Sequence, residues 1–133
     1  MLTANNESLF HWISLYYQIY RRDFSSREVA FFNLPPTHCG QHIVSYGGYI
    51  KYRLVFRGSG QAVRAPDMII KGNGITLYHE SRLQMEANKM NEMVARFWPD
   101  EWNKGRAQDG SLMPANREDL LMVLQNVEFF LIR

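Results

Sequence analysis

The sequence predicts a mainly β domain, an antiparallel sandwich or barrel with one short helix near the C-terminus. Three observations carry this. Residues 49–57 alternate, with Ile50, Tyr52, Leu54 and Phe56 on one face and Lys51, Arg53 and Arg57 on the other, the period-2 pattern of a half-buried strand. Residues 67–79 hold two apolar runs joined at Asn73-Gly74, a pair suited to the positive φ angles of a type I′ hairpin turn. A helix-start signal occurs at Asn116, whose side chain can cap exposed amides, with Glu118 and Asp119 at the positive end of the helix dipole.

In chain order, residues 6–22 place Leu9, Trp12, Ile13, Tyr16 and Tyr20 at near-helical spacing, yet their aromatic and β-branched content suits strands equally. Residues 28–32 read as a short strand, closed by Leu34-Pro35-Pro36 because consecutive prolines cannot continue a ladder. A loop runs to Gly47-Gly48, whose freedom at φ lets the chain turn into the alternating strand. After a polar loop over 58–66, the hairpin register pairs Met68 with His79 and Ile70 with Leu77 on the core side, and Ile69 with Tyr78 and Lys71 with Thr76 on the other. Residues 81–110 mix Met85, Met90, Met93, Phe97, Trp98 and Trp102 with polar residues and read as one or two irregular strands and a long loop ending at Gln108-Asp109-Gly110. Leu120, Leu121, Leu124 and Val127 supply the apolar face of the helix, and residues 129–133 form a closing β segment.

Composition narrows the function classes. The 133 residues are 46% hydrophobic, enough for one core. The net charge of +2, from 15 basic and 13 acidic residues dispersed along the chain, provides no cationic stripe for nucleic acid. The apolar stretch over 9–20 is interrupted by His11, Ser14 and Gln18 and is too short to insert across a membrane. Cys39 is alone, so no intrachain disulfide forms, and its neighbour His38 does not make it a nucleophile, because a catalytic pair is assembled in space.

The usual chemical signatures are also absent. His11, His38, His42 and His79 lack zinc-site spacing, with His38 and His42 reading as loop surface and His79 as packed at a strand end. Gly58-Ser59-Gly60 lacks the lysine of a phosphate-cradling loop. The carboxylates Asp100-Glu101 and Glu118-Asp119 are adjacent and do not face a common substrate. Trp98 and Trp102, with Tyr16, Tyr17 and Tyr20, could either stack on sugar rings or pack in the core, the second being favoured. Arg57-Gly58-Ser59 lacks the acidic third residue of an adhesion tripeptide. Asn6-Glu7-Ser8 is an N-glycosylation sequon.

Three segments in order resemble the laminin IV type A (laminin B) family, found in laminin α and γ chains and in perlecan. They are Val44-Ser45-Tyr46-Gly47-Gly48-Tyr49-Ile50-Lys51-Tyr52, then Ala65-Pro66-Asp67 through Gly72-Asn73-Gly74 to Leu77, then Asp109-Gly110 through Pro114-Ala115-Asn116-Arg117-Glu118-Asp119-Leu120-Leu121 to Leu131-Ile132-Arg133. The resemblance implies a jelly-roll-like antiparallel β-sandwich, not an enzyme, set between cysteine-rich EGF-like repeats of a secreted basement-membrane protein. The implied role is that of a structural spacer and interaction domain. Implied partners are other extracellular-matrix proteins, cell-surface receptors or glycans. The alternative is a carbohydrate- or protein-binding sandwich that depends on Ca²⁺, although no cofactor ligand is identified and any calcium would be structural. Residues 27–133 are the family-like unit, and residues 1–26 match poorly. The family continues past the Leu131-Ile132-Arg133 strand, so the unit is expected to be incomplete at its C-terminus. Gly47, Gly48, Asn73 and Gly74 are expected to shape turns, and Asn116 replaces the family's threonine as helix cap.

Overall fold

The computed structural model describes residues 2–6, 9–11, 32–34, 39–55, 66–82, 84–105 and 110–132. Strands β1 (Leu2–Asn6), β2 (Leu9–His11), β3 (Phe32–Asn33), β4 (Tyr49–Leu54), β5 (Met68–Gly72), β6 (Ile75–His79), β7 (Asn91–Arg96), β8 (Trp102–Gly105) and β9 (Leu112–Pro114) precede helix α1 (Arg117–Gln125) and strand β10 (Val127–Ile132). Two antiparallel sheets result, one in the order β2-β1-β4-β7 and the other in the order β3-β10-β5-β6-β8-β9. The fold is mainly β, a jelly-roll-like sandwich with a single helix near the C-terminus among the described residues.

Alternation places one face of each sheet in the core. Ile50 and Tyr52 of β4 lie opposite Ala95 and Met93 of β7, and all four are buried. On the second sheet, Met68 and Ile70 of β5 lie between Ile132 and Phe130 of β10 and His79 and Leu77 of β6. The apolar residues among these, with Trp102, Phe97 and the helix residues Leu120, Val123 and Leu124, form one continuous cluster. Burying each large aliphatic side chain contributes about 2 kcal/mol relative to exposure.

Asn73 and Gly74 have φ of 47° and 76°, so both central positions of the turn are left-handed, as a type I′ hairpin requires. The register from Met68↔His79 to Gly72↔Ile75 contains all four pairs expected from sequence. Helix α1 packs across β5 and β6. Its approach is so close that a Cβ at position 72 would collide with the backbone oxygens of both Val123 and Asn126. The Asn73 side chain also donates from Nδ2 to the Met122 carbonyl at 2.7 Å, satisfying a helix C-terminal acceptor.

Several expectations are corrected. Strand β4 ends at Leu54, and Val55 is outside it; Phe56 and Arg57 lie outside the described residues. Val127 belongs to β10 and not to the helix, which ends at Gln125. Leu121 is only half-buried, and Val123 takes its place among the fully buried helix residues. The stretch read as irregular contains two regular strands, β7 and β8, joined through a 3-10 turn at Pro99–Glu101. In β7 the inward residues are Met93 and Ala95, while Val94 is 42% exposed, so the hydrophobic contrast that reveals a strand in sequence is nearly erased. The strand expected over 28–32 is described only at Phe32, which begins β3. Residues 12–22, His38, Gly58-Ser59-Gly60 and Gln108-Asp109 lie outside the described residues.

Candidate functional site

Two constellations carry polar chemistry, one inside the sandwich and one on its surface. Inside, Asp67 precedes β5 and His79 ends β6, so the hairpin register that pairs Met68 with His79 also brings Asp67 beside the imidazole. The Asp67 amide donates to the His79 carbonyl at 2.9 Å, and the side chains meet at 2.6 Å between Nδ1 and Oδ1. Both side chains are 6% exposed. A carboxylate only accepts, so the Nδ1 proton sits toward Asp67. Tyr52 Oη of the opposite sheet donates to Asp67 Oδ2 at 3.4 Å. His79 Nε2 lies 3.8 Å from Glu101 Oε2.

Trp102 encloses this cluster. Its ring centroid lies 5.2 Å from that of His79 and 5.9 Å from that of Phe97, nearly parallel to the latter. Its indole N–H donates to the Arg96 carbonyl at 2.7 Å, while Glu101 Oε2 accepts from the Arg96 amide at 2.8 Å. The buried pair therefore belongs to a polar tie between the two sheets. An aspartate oriented toward a histidine supplies two of the three members of a hydrolytic triad, but among the described residues the second imidazole nitrogen faces Glu101. Sequence reasoning placed His79 at a packed strand end and missed Asp67; the signal was Asp67 standing one position before the Met68 that pairs with His79.

On the surface, Trp98 is 51% exposed and leans on Tyr46, with ring centroids 5.6 Å apart and tilted by 33°. The Arg117 guanidinium lies over the other ring, 5.8 Å from the Tyr46 centroid. Of the two tryptophans weighed as a sugar platform, Trp102 is fully buried and only Trp98 faces solvent; Tyr16, Tyr17 and Tyr20 lie outside the described residues.

The remaining predicted positions take these places. Gly47 has φ of 82° and donates to the Phe97 carbonyl at 3.1 Å, while the Gly48 carbonyl accepts from the Phe97 amide at 2.8 Å. Asn116 is the N-cap of α1, accepting from the Asp119 amide at 2.8 Å while Asp119 Oδ2 accepts from the Asn116 amide at 3.0 Å, a complete capping box. Asp119 Oδ1 also accepts from Lys104 Nζ at 3.0 Å. Asn6 ends β1, where its backbone pairs with Leu9. Cys39 is half-buried and its thiol donates to the Glu128 carbonyl at 3.4 Å; His42 Nε2–H donates to the Cys39 carbonyl at 3.0 Å. Among the described residues no group of three or more His, Cys, Asp or Glu is placed to hold a metal ion, and no helix is long and apolar enough to cross a membrane.

Residues 31–133 match the laminin B (domain IV) family. The chain belongs to that family. Laminin B domains are non-catalytic, and the chain is not an enzyme, which leaves the Asp67–His79 pair a structural part of the sandwich. Curated relatives are the basement membrane proteoglycan of Caenorhabditis elegans, 29% identical over 106 residues, and the basement membrane-specific heparan sulfate proteoglycan core protein of Mus musculus, 28% identical over 109. Human laminin subunit alpha-1 is 28% identical over 115 residues. Each alignment covers 80% of this chain, which spans only 3–4% of the relatives' length. The L4b domain of human laminin alpha-2 shares the fold, with a TM-score of 0.66 at 21% identity, covering 77% of this chain and 57% of that one.

Proposed function

We propose that this laminin B domain is a secreted extracellular-matrix module, a spacer and interaction surface within a basement-membrane protein. The observation that carries the reading is the family match over 31–133, joined to relatives whose names place them in basement membranes. The physical character of the fold supports it: two sheets share one core and are tied by a buried bond from Tyr52 to Asp67 and a part-buried one from Trp102 to the Arg96 carbonyl, which gives a stiff body suited to holding neighbouring modules apart.

In this reading residues 27–133 are the family unit. Gly47, Gly48, Asn73, Gly74 and Asn116 serve the fold, and Asn6 carries an N-linked glycan. The partners are other matrix proteins or cell-surface receptors. Solid-phase binding of the 133-residue chain to purified basement-membrane proteins and receptor ectodomains, with and without EDTA, tests the interaction role. Saturable binding to at least one supports it, and flat responses to all remove it. The spacer role requires cysteine-rich EGF-like repeats in the parent protein, and a parent without them overturns it.

A further inference from the structure

We propose that Tyr46, Trp98 and Arg117 form a binding site for an acidic pyranose, a sugar ring carrying a carboxylate or a sulfate. The apolar face of a pyranose stacks on an indole as it would on any flat apolar surface, and Trp98 keeps 51% of its surface open. An exposed tryptophan leaves a large apolar area in water, which a stacking ligand would remove. The Tyr46 ring, 5.6 Å away and tilted by 33°, packs against the indole and links it to the Arg117 guanidinium.

The charge comes from Arg117. Its guanidinium rests 5.8 Å from the Tyr46 centroid, and among the described residues it has no carboxylate partner. A planar guanidinium presents paired N–H donors that match the oxygens of a carboxylate or sulfate. Nearby acids are partly withdrawn: Glu101 is held by the Arg96 amide, and Asp119 by the Asn116 amide and Lys104. Asp100 and Glu118 remain exposed and oppose an anion, so neutralising them should tighten binding.

The three side chains stand on supports that restrict their movement. Two backbone bonds between Gly47-Gly48 and Phe97 join the segment bearing Tyr46 to the segment bearing Trp98. Arg117 opens a helix closed by a capping box. Little ordering remains for a ligand to impose, which favours binding by so small a patch. The site does not use the buried Asp67–His79 pair and does not depend on the spacer role.

The test is titration of the 133-residue chain with a heparin-derived tetrasaccharide, its desulfated counterpart retaining the carboxylates, and neutral cellotetraose, followed by isothermal calorimetry and by the indole N–H signals in NMR. Expected are binding of one or both acidic sugars, a shift of the Trp98 indole signal with the Trp102 signal still, and losses of about tenfold in Arg117→Gln and Trp98→Ala. Lys71→Gln, a basic position on another surface, should bind as the parent does, and Asp100→Asn should bind more tightly. Trp98→Phe and Arg117→Lys, with thermal midpoints measured beside them, keep the result readable if Trp98→Ala fails to fold. Equal affinity for cellotetraose, no binding of either acidic sugar at millimolar concentration, or losses in Lys71→Gln matching those in Arg117→Gln would overturn the site.

Discussion

Asn73 holds the end of the helix through Met122: its side-chain amide reaches the Met122 carbonyl at 2.7 Å while its own backbone occupies φ of 47°. One residue thus serves both the hairpin turn and the helix terminus. Asn73→Ala removes the donor and strains the turn, at a cost of about 2 kcal/mol. Asn73→Gly removes the donor alone and costs about 1 kcal/mol. Urea unfolding of the two variants measures the difference; equal losses would show that the turn geometry contributes nothing separate.

The close approach of helix to hairpin gives position 72 no room for a methyl group. Gly72→Ala should destabilise by about 3 kcal/mol, since the obstructing atoms are backbone oxygens of Val123 and Asn126 and not movable side-chain ends. A thermal midpoint within a degree of the parent's would contradict this.

The hairpin was legible because its signals are local. An Asn-Gly turn sets a register, and the register sets which of Met68, Ile70, Leu77 and His79 share a face. The helix was legible from Asn116 and Asp119 for the same reason. Strand β7 was not, because Ala95 inward and Val94 outward invert the usual contrast, and the inward face is set by pairing of Ala95 with Ile50 and of Met93 with Tyr52. The surface platform was half-legible: Trp98 and Trp102 are four residues apart and look equivalent in sequence, but the 3-10 turn at Pro99–Glu101 sends one into the core and the other into solvent.

Removing one partner of the buried Asp67–His79 pair leaves the facing atom of the other, Nδ1 or Oδ1, without its bond. Asp67→Ala and His79→Ala should each lose about 3 kcal/mol, whereas Asp67→Asn, which retains an acceptor, should lose about 1 kcal/mol. Equilibrium denaturation ranks the three, and an Asp67→Asn loss as large as that of Asp67→Ala would argue for a strict need for the carboxylate.

Asp119 joins the helix start to β8 through Lys104. Asn116→Ala should cost about 1 kcal/mol through loss of the cap. A double-mutant cycle on Asp119→Ala and Lys104→Ala should return a coupling of about 1 kcal/mol, reflecting a pair largely shielded on the aspartate side. A coupling near zero would make the contact incidental.

Glu92 accepts from Lys51 at 2.8 Å and Arg53 at 3.4 Å, and the hydrogen bond from Lys51 is the main reason its carboxyl titrates below the ordinary range. A folded-state pKa below the unfolded one adds stability that is fully present above the unfolded pKa and lost as pH falls through the folded pKa. Wild type should therefore exceed Glu92→Gln in urea midpoint at pH 7, with the gap closing through the acidic carboxylate range and shrinking in high salt. A gap that persists at the lowest pH reached by the folded protein would assign the effect to packing.

The register shift in β10 between Val127 and Phe129 decides the parity of the last strand. Val127 is an odd-numbered position and Phe130 and Ile132 are even, yet all three are buried. In an uninterrupted strand those two sets would point to opposite faces. Glu128 is the surplus residue that reconciles them, and it remains exposed while reaching toward Lys71 at 3.7 Å. Deleting one residue there would force a choice between seating Val127 under the helix and seating Phe130 and Ile132 beside β5, so a length change of one amino acid would cost this domain more than many changes of identity.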